Sequence, residues 1–295
     1  TDIYIYNVET KNLKKLSENG SEQIPTFSPD GKKIAFVRKN NIFITDGNGE
    51  KQITTDGEFN KIINGLPDWV NEEEFSFNNA LAWSADSKTL SWIKYDESKV
   101  KTYSLQMFKG SNPELDEYSD YPGLYSYKYP KAGQDNSKVS AWSYDLASGK
   151  TIQYSLPLDS DGYIPRIRTT NDAARIVLFT MNRHQNSLKI YAANPADGSC
   201  KLILEETNPK YVKEEAMEGI VIGKKRILLP SDRDGIMSLY LYDINGKLLG
   251  KYPTKREVTD VYGYDENSGN AYIQTVGATP MDRTVSIVSP KSSND

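Results

Sequence analysis

The sequence predicts an all-β fold, a β-propeller of four-stranded antiparallel blades, and three observations carry that prediction. Apolar and polar residues alternate with the period of a strand over much of the 295 residues, as in Ile3-Tyr4-Ile5-Tyr6. Tyrosine is abundant, 20 against 8 Phe and 4 Trp, and aromatic and β-branched side chains suit a pleated, half-buried surface. One hairpin also recurs along the chain, and a second unit precedes several of its copies.

The hairpins are DIYIYNVETKNLKKLS from Asp2, NIFITDGNGEKQIT from Asn41, AWSYDLASGKTIQYS from Ala141, LKIYAANPADGSCKLIL from Leu188 and LYLYDINGKLLGKY from Leu239. Each is an alternating strand, a turn rich in Asp, Asn and Gly, and a second strand; these turn residues accept the positive φ that closes a tight hairpin. The preceding unit is seen in PTFSPDGKKIAFV from Pro25, LAWSADSKTLSWIKYD from Leu81, RIRTTNDAARIVLFTMN from Arg166 and, more loosely, EGIVIGKKRILLPSDRDG from Glu218. There a strand ends in a turn such as Ser28-Pro29-Asp30-Gly31, where Pro presets the first turn angle and Gly relaxes the last. Joined, the two units make a sheet of about 40 to 60 residues, the size of one blade. The chain then reads as half a blade over residues 2–17, four fuller blades, and a partial one from about Thr259 to Ser289. Both ends interrupt a strand pattern, so both are expected to be cut from something larger.

Two insertions break the rhythm, residues 56–80 and residues 97–140, and long insertions in a repeat scaffold are where function usually sits. Composition narrows what that function is. Lys plus Arg is 36 and Asp plus Glu is 40, a net charge of −4, which offers no broad basic surface for nucleic acid. Cys200 is the only cysteine, so no intrachain disulfide is possible, and no apolar run reaches the roughly 18 residues of a membrane helix. One histidine, His184, and no C-x-x-C leave no zinc pattern. Turns such as Asp46-Gly47-Asn48-Gly49 lack the ligand spacing of a calcium loop, and no Gly-rich phosphate loop occurs, so no cofactor is expected.

The first insertion contains NGLPDWVNEEEF, residues 64–75. Pro67 and Asp68 read as a helix start, with Asp68 as N-cap and Glu72, Glu73 and Glu74 following within about one turn. Neighbouring residues on a helix point about 100° apart, so two of the glutamates can flank one pocket while the third faces water. Two ionised carboxylates repel unless a cation joins them, and a free α-amino group, charged near neutral pH, is such a cation. The plain alternative is a solvated acidic turn.

The string Asp68-Trp69-Val70-Asn71-Glu72-Glu73-Glu74-Phe75 is preceded by Asn64-Gly65 and followed by Ala80-Leu81-Ala82-Trp83-Ser84. It resembles the signature of the dipeptidyl peptidase IV family, D-W-V-Y-E-E-E, an apolar residue and then a W-S strand. Tyr129-Pro130-Lys131-Ala132-Gly133 matches the family's Y-P-K-A-G. The resemblance implies an eight-bladed propeller packed on an α/β-hydrolase domain, with about five to six blades' worth in residues 1–295. It also implies that the last two glutamates of the motif clamp a substrate's free N-terminus while a serine triad removes an Xaa-Pro or Xaa-Ala dipeptide. Carried over by position, Glu73 and Glu74 are the substrate-binding residues. Glu72, Asp68 and Trp69 are supporting residues, with Trp69 an anchor in the core. Asn71 stands where the family usually has tyrosine.

The chain contains no G-x-S-x-G nucleophile elbow. The hydrolase domain is therefore expected to lie outside it, no residue here is expected to be catalytic, and the chain alone is expected to be inactive. The second insertion corresponds in position to the arm that family members use to dimerise. Its Tyr103, Tyr118, Tyr121, Tyr125 and Tyr127 suit an interface. Family members in bacteria are exported, which implies a periplasmic or cell-envelope location. Two other readings stand beside this one: the propeller of a prolyl tripeptidyl aminopeptidase, separated by the length of the released product, and a non-catalytic propeller that binds peptides or proteins.

Overall fold

The computed structural model describes residues 2–290, 292 and 293. They form two compact units, Thr1–Leu81 with Trp92–Trp142, and Ala82–Ser91 with Ser143–Asp295.

The chain opens with a two-stranded hairpin, β1 (Tyr4–Tyr6) and β2 (Leu13–Lys15), in register Tyr4 to Lys15. Next come β3 (Gln23–Phe27), β4 (Ile34–Arg38), β5 (Asn41–Thr45) and β6 (Glu50–Gln52), a four-stranded antiparallel sheet in sequence order. Strand β4 is buried along its whole length, as expected for the fully apolar strand that follows the S-P-D-G turn. Ile3 and Ile5 of the opening hairpin pack with Phe43 on the cluster of Leu16, Ile34 and Phe36. Beside this core, Arg38 is held by Glu22 and Glu50, and its guanidinium lies 5.1 Å from the Phe36 ring and 4.9 Å from that of Phe43. The Arg38 hydrogen bond holds the Glu50 carboxyl down at about 2.

The following sheet is where the first insertion enters. It contains β7 (Ile62–Asn64), helix α1 (Trp69–Glu73), β8 (Leu81–Trp83) and β9 (Thr89–Asp96). Both β7 and β8 pair with β9. Strand β7 takes the end of β9, Ile62 opposite Asp96 and Asn64 opposite Lys94. At Ile93 the pairing passes to the far side of the insertion: Gly65 N–H donates to the Ile93 carbonyl at 3.0 Å, and Ile93 N–H donates to the Ala80 carbonyl at 3.1 Å. Strands β7 and β8 are thus one blade strand, broken after Asn64 and resumed before Leu81. Part of the expected insertion is therefore scaffold: Ile62–Asn64 supply the first half of that strand, because Ile63 and Asn64 are buried in the sheet.

The second insertion leaves the same blade and returns to it. Strands β10 (Thr102–Met107) and β11 (Gly123–Lys128) form a hairpin of their own, bridged by a 3-10 turn at Pro113–Tyr118. The blade resumes with β12 (Lys138–Asp145) and β13 (Thr151–Gln153), in the order β13-β12-β9-β7.

Three more four-stranded sheets follow, each in sequence order. They are β14 (Tyr163–Thr169), β15 (Ile176–Met181), β16 (Ser187–Ala193) and β17 (Cys200–Thr207); β18 (Val221–Ile222), β19 (Arg226–Ser231), β20 (Ser238–Asp243) and β21 (Leu248–Lys251); and β22 (Val258–Asp265), β23 (Asn270–Val276), β24 (Arg283–Ser289) and β25 (Ser292–Ser293). The last blade, expected to be partial, has a two-residue fourth strand paired to Val288 and Ser289. Leu228, Leu239, Ala271, Ile273 and Val288 join the last two sheets in one core.

The repeated turns share a side-chain lock. Ser28 Oγ donates to Asp30 at 2.6 Å and accepts from Lys33 N–H at 3.0 Å. Ser84 does the same with Asp86 and Thr89, at 2.7 and 3.0 Å. Gly31 has φ +70° in the first turn, and Ser87 takes φ 62° in the second, so the hydroxyl lock outlasts the glycine.

Candidate functional site

Helix α1 sits in the loop that interrupts the blade strand. The loop is pinched at its base, where Ala80 N–H donates to the Gly65 carbonyl at 3.0 Å. Gly65 has φ +82°, and a Cβ there would stand 2.7 Å from Leu81 Cδ2, 3.1 Å from Val37 Cγ2 and 3.2 Å from Ile42 Cγ1. Glycine is required by both conformation and space. Asn64 secures the same corner: its amide donates to Asp56 at 2.9 Å, and its carbonyl oxygen accepts from Trp92 Nε1 at 3.2 Å.

Asp68 is the N-cap, as the sequence predicts. Its Oδ1 accepts from Asn71 N–H at 3.0 Å and from the Asn71 side-chain amide at 2.8 Å, while Oδ2 accepts from the Ser137 hydroxyl at 2.6 Å. Asn71 is 1% exposed, and its carbonyl accepts from Phe77 N–H at 3.0 Å, folding the exit of the helix back on its start. Its side-chain Oδ1 is buried without a hydrogen-bond partner among the described residues. Asn71 thus ties both ends of the one-turn helix together, its side-chain amide at the start and its backbone carbonyl at the exit. Phe75 and Phe77 are buried beyond it.

Trp69 is half-buried, not enclosed in the core, and its ring lies 4.1 Å from that of Tyr129 at an interplanar angle of 49°. Glu72, Glu73 and Glu74 are all exposed. No salt bridge among the described residues engages any of them. Exposure does not separate Glu72 from the other two. The arrangement presents three exposed carboxylates, unpaired among the described residues, at the end of a fixed turn, a charge pattern able to receive an organic cation.

A second acidic group near the helix start was not legible in the sequence. Glu97 follows β9 and is 6% exposed. Burial first, and the charge of Asp68 second, push its carboxyl up to about 7, with Lys128 opposing. Lys128 is itself committed to the carbonyl of Val100, at 2.7 Å.

The lone histidine and the lone cysteine, neither expected to carry chemistry, play no part in this arrangement. His184 is exposed in the turn between β15 and β16. Burial pushes the Cys200 thiol up to about 11, away from nucleophilic character. A cavity of about 350 Å3 opens in the second unit beside Tyr211, Lys213, Met237 and Glu257, and residues 64–75 contribute nothing to it.

Serial four-stranded antiparallel sheets, one with a broken strand extruding an acidic turn, define a β-propeller domain. The model of the family described as the dipeptidyl peptidase IV N-terminal region matches residues 1–295, and the chain belongs to that family. Among solved structures, dipeptidyl peptidase 4 of Porphyromonas gingivalis is 40% identical with a TM-score of 0.91, over 98% of this chain and 41% of that one. A putative dipeptidyl aminopeptidase IV from Bacteroides ovatus is 22% identical with a TM-score of 0.76, over 97% of this chain and 41% of that one, and supports the fold alone. A probable dipeptidyl-aminopeptidase B of Phaeosphaeria nodorum is 33% identical over 224 residues, 71% of this chain and 24% of the relative. Its counterpart in Emericella nidulans is 34% identical over 212 residues, 68% of this chain and 23% of the relative. The chain spans about a quarter of the length of these curated relatives.

Proposed function

We propose that this chain is the substrate-selecting propeller of a dipeptidyl peptidase IV-like serine exopeptidase. Glu73 and Glu74 receive the free α-ammonium of a peptide, and Xaa-Pro or Xaa-Ala dipeptides are released by a hydrolase domain of the same protein, outside this chain. The chain by itself is then inactive. The observation that carries the reading is the helix α1 carboxylates, exposed and without a salt bridge among the described residues, on a turn fixed by Asp68 and Asn71, in a chain of this family. Two carboxylates that hold an ammonium set a fixed reach to the scissile bond, so a nucleophile beyond that reach meets the second peptide bond. Glu72, Asp68 and Trp69 support the pair.

The test is steady-state kinetics of the full-length protein on a Gly-Pro anilide. Each of Glu73→Gln and Glu74→Gln removes one charge-assisted contact of about 1.5 to 3 kcal/mol, a loss of roughly 10- to 150-fold in kcat/KM. Unchanged kcat/KM in both variants refutes the assignment. The same reading includes a homodimer formed through the β10–β11 hairpin, whose outward Phe108, Tyr121 and Leu124 are exposed, and a periplasmic or cell-envelope location. A monomer in native mass spectrometry of the full-length protein refutes the dimer.

A further inference from the structure

The aromatic side chains of the second insertion make a continuous series of ring contacts that starts at the acidic helix. Trp69, the first residue of α1, meets Tyr129 at 4.1 Å between centroids. Tyr129 meets Tyr103 at 5.6 Å and Tyr127 edge-on at 6.1 Å. Tyr127 stacks on Tyr125 at 5.5 Å, and Tyr125 reaches Phe59 at 6.3 Å. Lys131 Nζ lies 5.5 Å over the Tyr103 ring.

We propose that Tyr129 is a positioning residue for the substrate ammonium: its ring, backed by Tyr103, sets the roll of α1 and thereby the direction of Glu73 and Glu74. This rests on the reading of those two glutamates given above. A five-residue helix cannot hold itself, because nucleating a single turn is unfavourable. Asp68, bonded to Ser137, and Asn71, buried, hold one side of the turn, and roll of the side that carries Glu73 is resisted by a side chain that packs against something else. Trp69 supplies that contact, and it lies four residues before Glu73, one turn back on the same helix face. A roll of about 20° at a side-chain radius of about 5 to 6 Å displaces a carboxylate by about 2 Å. Charge-assisted hydrogen bonds hold within a few tenths of an ångström of their length, so such a shift breaks them.

The hairpin does not depend on this ring for its own place. Tyr129 N–H donates to the Lys101 carbonyl at 3.0 Å, Asn60 Nδ2 donates to the Ser126 carbonyl at 3.0 Å, and Lys128 Nζ donates to the Val100 carbonyl at 2.7 Å. Removing the Tyr129 ring therefore loosens the Trp69 side of the helix while leaving the N-cap and the arm anchored. Its phenol oxygen contributes nothing to this role, so phenylalanine is expected to substitute fully.

The experiment compares the full-length protein with Tyr129→Ala, Tyr129→Phe and Tyr129→Leu on a Gly-Pro anilide, beside Glu73→Gln and the double variant Glu73→Gln with Tyr129→Ala. The expected result is that Tyr129→Ala raises KM about tenfold with kcat within about twofold, and that Tyr129→Phe restores the parent values. In the Glu73→Gln background the Tyr129→Ala effect shrinks, because the two act through one contact. If Tyr129→Ala fails to fold, Tyr129→Leu keeps the apolar volume without the ring face, and the same KM rise is expected of it. A fall in kcat at constant KM, failure of Tyr129→Phe to rescue, or full additivity with Glu73→Gln overturns the inference while the reading stands. Unchanged KM in Glu73→Gln and Glu74→Gln overturns the reading and the inference together.

Discussion

Replacing Asp68 by alanine tests whether the acidic turn is held from its N-cap. The carboxylate accepts from Asn71 N–H at 3.0 Å, from the Asn71 side-chain amide at 2.8 Å and from the Ser137 hydroxyl at 2.6 Å. Losing the cap costs about 1 kcal/mol. The two remaining donors are buried, and taking the low end for each adds about 2 kcal/mol, so the turn loses about 3 kcal/mol in total. Asp68→Asn serves as the control: it keeps an oxygen for Asn71 N–H, and the Ser137 hydroxyl can rotate to accept from the new amide. The control is expected to lose less than about 1 kcal/mol. Hydrogen exchange of peptides covering residues 66–80 in the full-length protein reads the local opening directly. A loss of about 3 kcal/mol corresponds to roughly 150-fold faster exchange for Asp68→Ala, against a few-fold for Asp68→Asn. Equal exchange in the two variants, or no change in Asp68→Ala, refutes the argument.

Two more outcomes follow from neighbouring residues. Gly65→Ala places a Cβ 2.7 Å from Leu81 Cδ2 at φ +82°; left-handed strain of about 1 to 2 kcal/mol and overpacking of about 1 to 3 kcal/mol add up. A clear drop in the denaturant midpoint is expected, and an unchanged midpoint refutes the pinch. Glu97 has a folded pKa raised to about 7 by burial and by Asp68, so the folded state holds its proton more tightly than the unfolded state. Its contribution to stability is fully present below the ordinary glutamate range, near 4.5, and is lost as pH rises through about 7. Denaturation at pH 5 and pH 8 should show a smaller decline for Glu97→Gln than for the parent; identical declines refute the burial argument.

Much of this molecule is local physics and was legible as such. Alternation marked the strands, and Asp-, Asn- and Gly-rich turns marked the hairpins that pair in the structure as β1–β2, β5–β6, β12–β13, β16–β17 and β20–β21. Asp68 was readable as an N-cap because capping is settled within three residues.

The strands, their turns and the acidic string could be read before any folding was known, since each depends on neighbours a few residues apart. That β7 and β8 are one broken strand emerges from the folded sheet alone, because it rests on both pairing with β9. The same holds for Tyr129, placed on Trp69 from sixty positions away, and for Glu97, brought within reach of the charge of Asp68. Alternation states which side chains of a strand face inward, and leaves open which distant segment they meet. That choice is made by burial and backbone pairing over the whole sheet. Here it determines which groups hold the glutamates in place.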